Sequence, residues 1–202
     1  MLKTLPNTPE RSQQESVLQT TLGPALIAAK GYAAPEVEHT YARARELCRQ
    51  VGETPHLFPV LGGLWVFYLV RAEHRTAHGL AVQFLHMLQR VQDPALLLEA
   101  HYALGVSLLW RGALVPARAH LDQSIALYDA QQHRSHALLY RRDPGVTCLS
   151  YAAWGLWSLG YPDQTLKRSY EALTLAKGLS HPFSLATALY SAAVLHQFRR
   201  ED

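Results

Sequence analysis

The sequence predicts an all-α fold: about nine helices in antiparallel pairs, stacked as a right-handed superhelix. Three observations carry that expectation. First, His101 to Asp129, HYALGVSLLWRGALVPARAHLDQSIALYD, holds two apolar series at helical spacing with Gly112 between them. Leu104, Gly105 and Leu108 mark one helix, and Leu114, Ala117, Leu121 and Ile125 mark the next. Second, the small or apolar residue early in each second helix recurs at Val37, Ala77, Ala117 and Thr165, in steps of 40, 40 and 48 residues. Third, the apolar fraction is 49% and the charged fraction only 17%, which suits helices with wide buried faces.

The elements follow from their punctuation. Residues 1–8 read as a linker. Pro9 to Lys30 forms the first helical pattern, with Val17, Leu18, Leu22, Ala25, Leu26 and Ala29 apolar. Gly23-Pro24 inside it predicts a kink or a split, because proline removes a backbone hydrogen bond. Gly31 ends the helix, and Pro35 opens a second that runs to about Val51. Gly52 to Pro55 is a turn, followed by helices at Leu57 to Ala72 and His74 to about Val91. Asp93-Pro94 is a start signal for the central hairpin, since Asp caps free amides and Pro fits the first turn. From Ala130 to Pro144 the pattern lapses into a longer connection, with a short helical turn expected at Ser135 to Tyr140. Helices then return at Gly145 to Leu159, Pro162 to Leu179 and Phe183 to about Arg199. The repeats fall at about 9–52, 55–92, 93–130 and 145–180, with a half-repeat at 181–202, all in one helical-repeat domain.

The charge balance excludes few partners but favours some. A net charge of +3, carried mostly by arginines scattered over several helices, gives no nucleic-acid stripe. Cys48 and Cys148 lack a second cysteine at metal or redox spacing and read as reduced core thiols. The N-terminus has no signal-peptide core, and the most apolar run, Leu57 to Val70, is too short to cross a membrane. A soluble, cytoplasmic chain with no membrane partner is the expectation.

Leu104-Gly105 in one helix, and Ala117 with a large apolar residue four positions on in the next, match the core of the tetratricopeptide signature. The match is degenerate: His101 stands where that pattern prefers Trp, Leu108 where it prefers Tyr, Leu121 where it prefers an aromatic, and Asp129 where it prefers Pro. Several stretches resemble a more specific family: LKTLPNTPERSQQ (2–14), GPALIAAKGYAAPEVEHTYARARELC (23–48), DPALLLEAHYALG (93–105), PARAHLDQSIALYD (116–129) and GYPDQTLKRSYEALTLAKGLSHPFSLATAL (160–189). They look like the tetratricopeptide-rich C-terminal region of large bacterial signalling proteins. In those proteins a nucleotide-cyclase or protein-kinase domain comes first, then an AAA-type or STAND-type ATPase, then the repeats. The resemblance implies a regulatory module in a longer polypeptide, with intramolecular ATPase and effector domains among its partners. These residues themselves contain no G-x-x-x-x-G-K-[ST] loop, no paired-aspartate cyclase centre and no kinase signature, so no enzymatic activity and no cofactor is expected.

In a tetratricopeptide stack the first helices of the pairs line the concave face. Here that face would carry Val66, Leu69 and Val70, then Glu99, Tyr102, Val106, Leu109 and Trp110, then Ser150, Trp154 and Trp157. An apolar, aromatic groove of this kind is expected to take an amphipathic helix or apolar peptide of a protein partner. The alternatives are packing against neighbouring helices, or a small effector held between the tryptophans. His74 and His78 at i, i+4 have metal spacing but no third ligand, so no metal site is assigned. His133 and His136, with Arg134, Arg141 and Arg142, read either as an exposed polar loop or as an anion-binding one. Leu185, Ala188, Leu189, Ala192, Val194, Leu195 and Phe198 give the last helix apolar character on more than one side, which predicts self-association through it. A stand-alone adaptor that forms a homodimer there is the third reading.

Overall fold

The computed structural model describes residues 8–52, 57–88, 93–132 and 142–200. Among them are nine helices and no strand: α1 (Pro9–Lys30), α2 (Pro35–Val51), α3 (Leu57–Val70), α4 (His74–Leu88), α5 (Pro94–Trp110), α6 (Leu114–Leu127), α7 (Pro144–Ser158), α8 (Pro162–Gly178) and α9 (Pro182–Arg199). The expected turn at Ser135 to Tyr140 and the cluster of His133, Arg134, His136 and Arg141 lie outside the described residues. The chain divides into two compact units, Met1–His86 and Met87–Asp202.

The helix starts follow from chemistry visible in the sequence. Proline sits in the first turn of α1, α2, α5, α7, α8 and α9, where its missing N–H costs nothing. Asp93 Oδ1 accepts from the amides of Ala95 and Leu96, and Asp143 Oδ1 from that of Val146. His181 caps α9 in the same way, its Nδ1 accepting from the Ser184 amide. The turns inside pairs share one form. Ala72, Gly112 and Gly160 each take positive φ, and the amides of these residues and their successors bond back to the last turn of the preceding helix.

The first unit is organised around Tyr41 of α2. Its ring lies between Gly23 of α1 and Gly63 of α3, and a Cβ on either glycine would overlap it. This explains why Gly23-Pro24 does not divide the first helix, as the sequence predicted it could: α1 runs unbroken from Pro9 to Lys30. Gly23 is there for close approach, and α2 packed along α1 holds the segment helical through Pro24. Burial pushes the Tyr41 hydroxyl up to about 12. A Phe58–Phe84 ring contact at 5.6 Å and an Arg45–Gln83 hydrogen bond of 2.9 Å tie α4 to α3 and α2.

In the second unit α5 pairs with α6, α7 with α8, and α9 packs on α7 and α8. Gly105 is the close point of the first pair. A Cβ there would stand 2.8 Å from Leu121 Cγ and 3.2 Å from the Ala117 carbonyl oxygen. The register positions Val37, Ala77, Ala117 and Thr165 are each 0% exposed, so the 40-residue period marks where second helices meet their partners. Both cysteines are buried and free, each within 3.1 Å of a serine hydroxyl: Cys48 with Ser16, Cys148 with Ser124. Burial raises the Cys148 thiol to about 12, which keeps it protonated. No helix among the described residues is long and apolar enough to cross a membrane.

Candidate binding surface

The first helices of the second unit, α5, α7 and α9, are joined by a chain of aromatic rings. Tyr102 of α5 meets Tyr151 of α7 at 6.1 Å between centroids, and Tyr151 meets Trp154, one turn on, at 5.3 Å. Trp154 is the hub. It contacts Trp110 of α5 at 6.3 Å and Tyr190 of α9 at 6.1 Å, both edge to face. The indole N–H of Trp154 donates to the Ser191 carbonyl at 3.3 Å, which fixes the ring against α9. Helical spacing builds this ladder, because residues three apart share a face. The outer members are open to solvent: Trp110 is 48% exposed and Tyr190 64%.

At its inner end the ladder meets a buried ion pair. The Arg142 guanidinium lies 4.1 Å from the Tyr102 ring centroid and donates to Glu99 Oε2 at 2.7 Å. Burial opposes charge on Arg142, but Glu99 beside it outweighs that cost and holds the guanidinium firmly protonated. Burial drives the Tyr102 hydroxyl well above its ordinary range and raises that of Tyr151, so both stay neutral donors. Asp143, next in sequence, is buried too, and its carboxylate accepts from the Tyr128 hydroxyl at 2.9 Å while capping α7.

The structure redistributes the residues expected to line a groove. Trp110, Trp154, Trp157 and Leu109 keep partial exposure. Glu99, Tyr102, Val106 and Ser150 do not: all are at most 4% exposed and belong to the packed layer between helices, not to an open surface. The covering groups are specific: Arg142 lies against Glu99 and Tyr102, the Tyr151 ring against Tyr102, and Ser191 of α9 against Ser150. Val66, Leu69 and Val70 belong to the first unit, the first two half-buried and Val70 exposed. Two ladder members, Tyr151 and Tyr190, lie outside the residues the sequence points to. Tyr190 sits in a helix whose apolar pattern is set by Leu, Ala, Val and Phe, and Tyr151 is one residue off the stripe of Ser150, Trp154 and Trp157.

A second feature was likewise not legible. His101 of α5 and His120 of α6 face each other with Nδ1 to Nδ1 at 2.9 Å and ring centroids 5.2 Å apart. At that distance the two nitrogens share a hydrogen bond, one ring donating and the other accepting according to tautomer. Among the described residues no three His, Cys, Asp or Glu side chains gather as metal ligands, His74 and His78 included.

No family model matches the chain. It is similar to an uncharacterized protein of Rhizobium meliloti (strain 1021), at 25% identity over 186 residues. That match takes in 91% of this chain but only 18% of the relative, so the chain spans less than a fifth of the relative's length.

Proposed function

We propose that this chain is a non-catalytic interaction module whose second unit receives an apolar segment of a protein partner, an amphipathic helix or a peptide, on the ladder at Trp110, Trp154 and Tyr190. The observation that carries this reading is the pair of half-exposed aromatics, Trp110 and Tyr190, flanking a tryptophan already anchored by its N–H. Amphipathic rings held rigid cost little entropy to bind and supply large contact area, which is why they dominate interface energetics. Their exposure favours an open surface over an enclosed effector pocket. The resemblance to repeat regions that follow signalling ATPases makes an ATPase or effector domain of the same polypeptide a natural partner. Docking on the ladder would then reach that domain by rigid-body movement of the helices.

The test is a peptide-display selection against the whole chain, followed by calorimetric titration of the selected sequences. Replacing both Trp110 and Tyr190 by Ala is expected to weaken binding at least about tenfold, in line with the loss of two aromatic anchors, with the helical circular dichroism unchanged. Equal affinity for the double variant, or loss of its helicity, would refute the surface reading.

A further inference from the structure

The α5–α6 hairpin closes through contacts in antiparallel register. Ser124 Oγ of α6 donates to the Leu98 carbonyl at 2.9 Å. His120 then meets His101, Nδ1 to Nδ1, at 2.9 Å. Ala117 and Leu121 stand against Gly105 one turn further along α5. The contacts on either side are sealed, with Ser124, Ala117 and Leu121 each 0% exposed. The histidines between them are only half-buried, so water and protons reach their rings. The charged groups around them are engaged elsewhere. Glu99 of α5 holds Arg142, and Asp143 caps α7 and accepts from Tyr128. On α6, Asp122 pairs with Arg118 and with Arg168 of α8. The helix packed against both, α7, has no Asp, Glu, Lys, Arg or His from Pro144 to Ser158.

We infer that the His101–His120 pair is a proton-operated latch: it holds the middle of the α5–α6 seat closed while one Nδ1 is bare, and releases it within the folded unit when both carry protons. In the neutral pair one ring donates and the other accepts. A first added proton settles on the donor ring's Nε2 and keeps the bond, now an imidazolium donating to a neutral ring. A second proton takes the remaining Nδ1 lone pair. Two N–H groups and two positive charges then face each other, with nothing left to accept. Burial lowers both groups below the ordinary range, and at His101 the neighbouring His120 adds to it, so release falls on the acid side. The two steps belong to the pair and not to either ring. The sealed contacts on both sides keep the hairpin together while the rings part. His101 adjoins Tyr102, whose ring meets Tyr151 of α7, so a shift of α5 is felt in the aromatic ladder. None of this depends on what the ladder binds.

The test is a titration of the full chain from pH 7 to about pH 4, well below the ordinary histidine range. Imidazole NMR follows each ring, near-ultraviolet circular dichroism follows the packed aromatics, and the far-ultraviolet signal follows helicity. His101 and His120 should titrate in two coupled steps, and the near-ultraviolet signal should change with the second while helicity holds. His120→Gln keeps a hydrogen-bonding side chain that gains no proton. It should leave His101 with a single step and abolish the near-ultraviolet change. His101→Gln should do the same to His120, which keeps the test decisive if the first variant folds poorly. The inference is overturned if the near-ultraviolet change is absent from the unmodified chain or survives in both variants. It is equally overturned if the two rings titrate independently, or if helicity is lost together with the near-ultraviolet signal.

Discussion

At the scale of single residues, the strongest constraints sit where the backbone turns or where two helices nearly touch. Ala72 occupies the left-handed position that Gly112 and Gly160 fill elsewhere. A Cβ in that conformation costs about 1–2 kcal/mol, partly offset by the freedom that glycine adds to the unfolded chain. Ala72→Gly should therefore stabilise the protein by about 0.5–1 kcal/mol, read as a higher urea midpoint at constant m-value. Gly63→Ala should do the reverse, forcing the Tyr41 ring to move at a cost of about 1–3 kcal/mol. Combining it with Tyr41→Leu should recover part of that loss in the same denaturation assay. The turn glycines were legible because glycine after an apolar series has one common use. The Tyr41 sandwich was not, because it requires knowing which side of α2 meets both neighbours.

Between elements, two polar contacts set how α5 is held. Glu99 and Arg142 join α5 to the start of α7 with side-chain exposures of 4% and 14%. Removing one charge strands the other, so Glu99→Gln should destabilise by about 3–5 kcal/mol, while a double replacement by apolar residues should come much closer to neutral. Thermal melts of the three variants measure this. The His101–His120 bond joins α5 to α6. Burial lowers both histidines below the ordinary 6.5, so the unfolded chain binds more protons than the folded one. Their stabilising effect is whole above the unfolded pKa and is lost as pH falls through the folded values. Stability should decline from pH 7 to pH 5, and His120→Gln should flatten that decline in urea titrations across the range. Helix bounds were readable to within two or three residues, because proline and glycine punctuate them. Which helix faces join was less so: periodicity places Tyr102 and Trp110 on related stripes, but only packing reveals that one is covered and the other open.

Across the whole chain, two compact units each carry their own core. The second, from Met87, holds the ladder and the Glu99–Arg142 pair. Residues 87–202 expressed alone should melt cooperatively and keep near-ultraviolet circular dichroism from the packed rings. A featureless near-ultraviolet spectrum would show that the first unit is required. The all-helical class came through in the sequence because every repeat restates it, and the register came through because two of its three steps are equal. The division near His86 did not, since it depends on how many contacts cross a boundary and not on any local pattern.

The four tryptophans are divided unevenly: Trp65 is sealed in the first unit at 3% exposure, and Trp110, Trp154 and Trp157 lie in the second with Trp110 half in water. The protein thus contains its own optical gauge. Iodide should quench a red-shifted component of the emission from Trp110 and leave the blue component of Trp65 untouched. An occupant settling on the ladder would shield the first and spare the second, so occupancy can be followed on unlabelled protein from the ratio of the two colours.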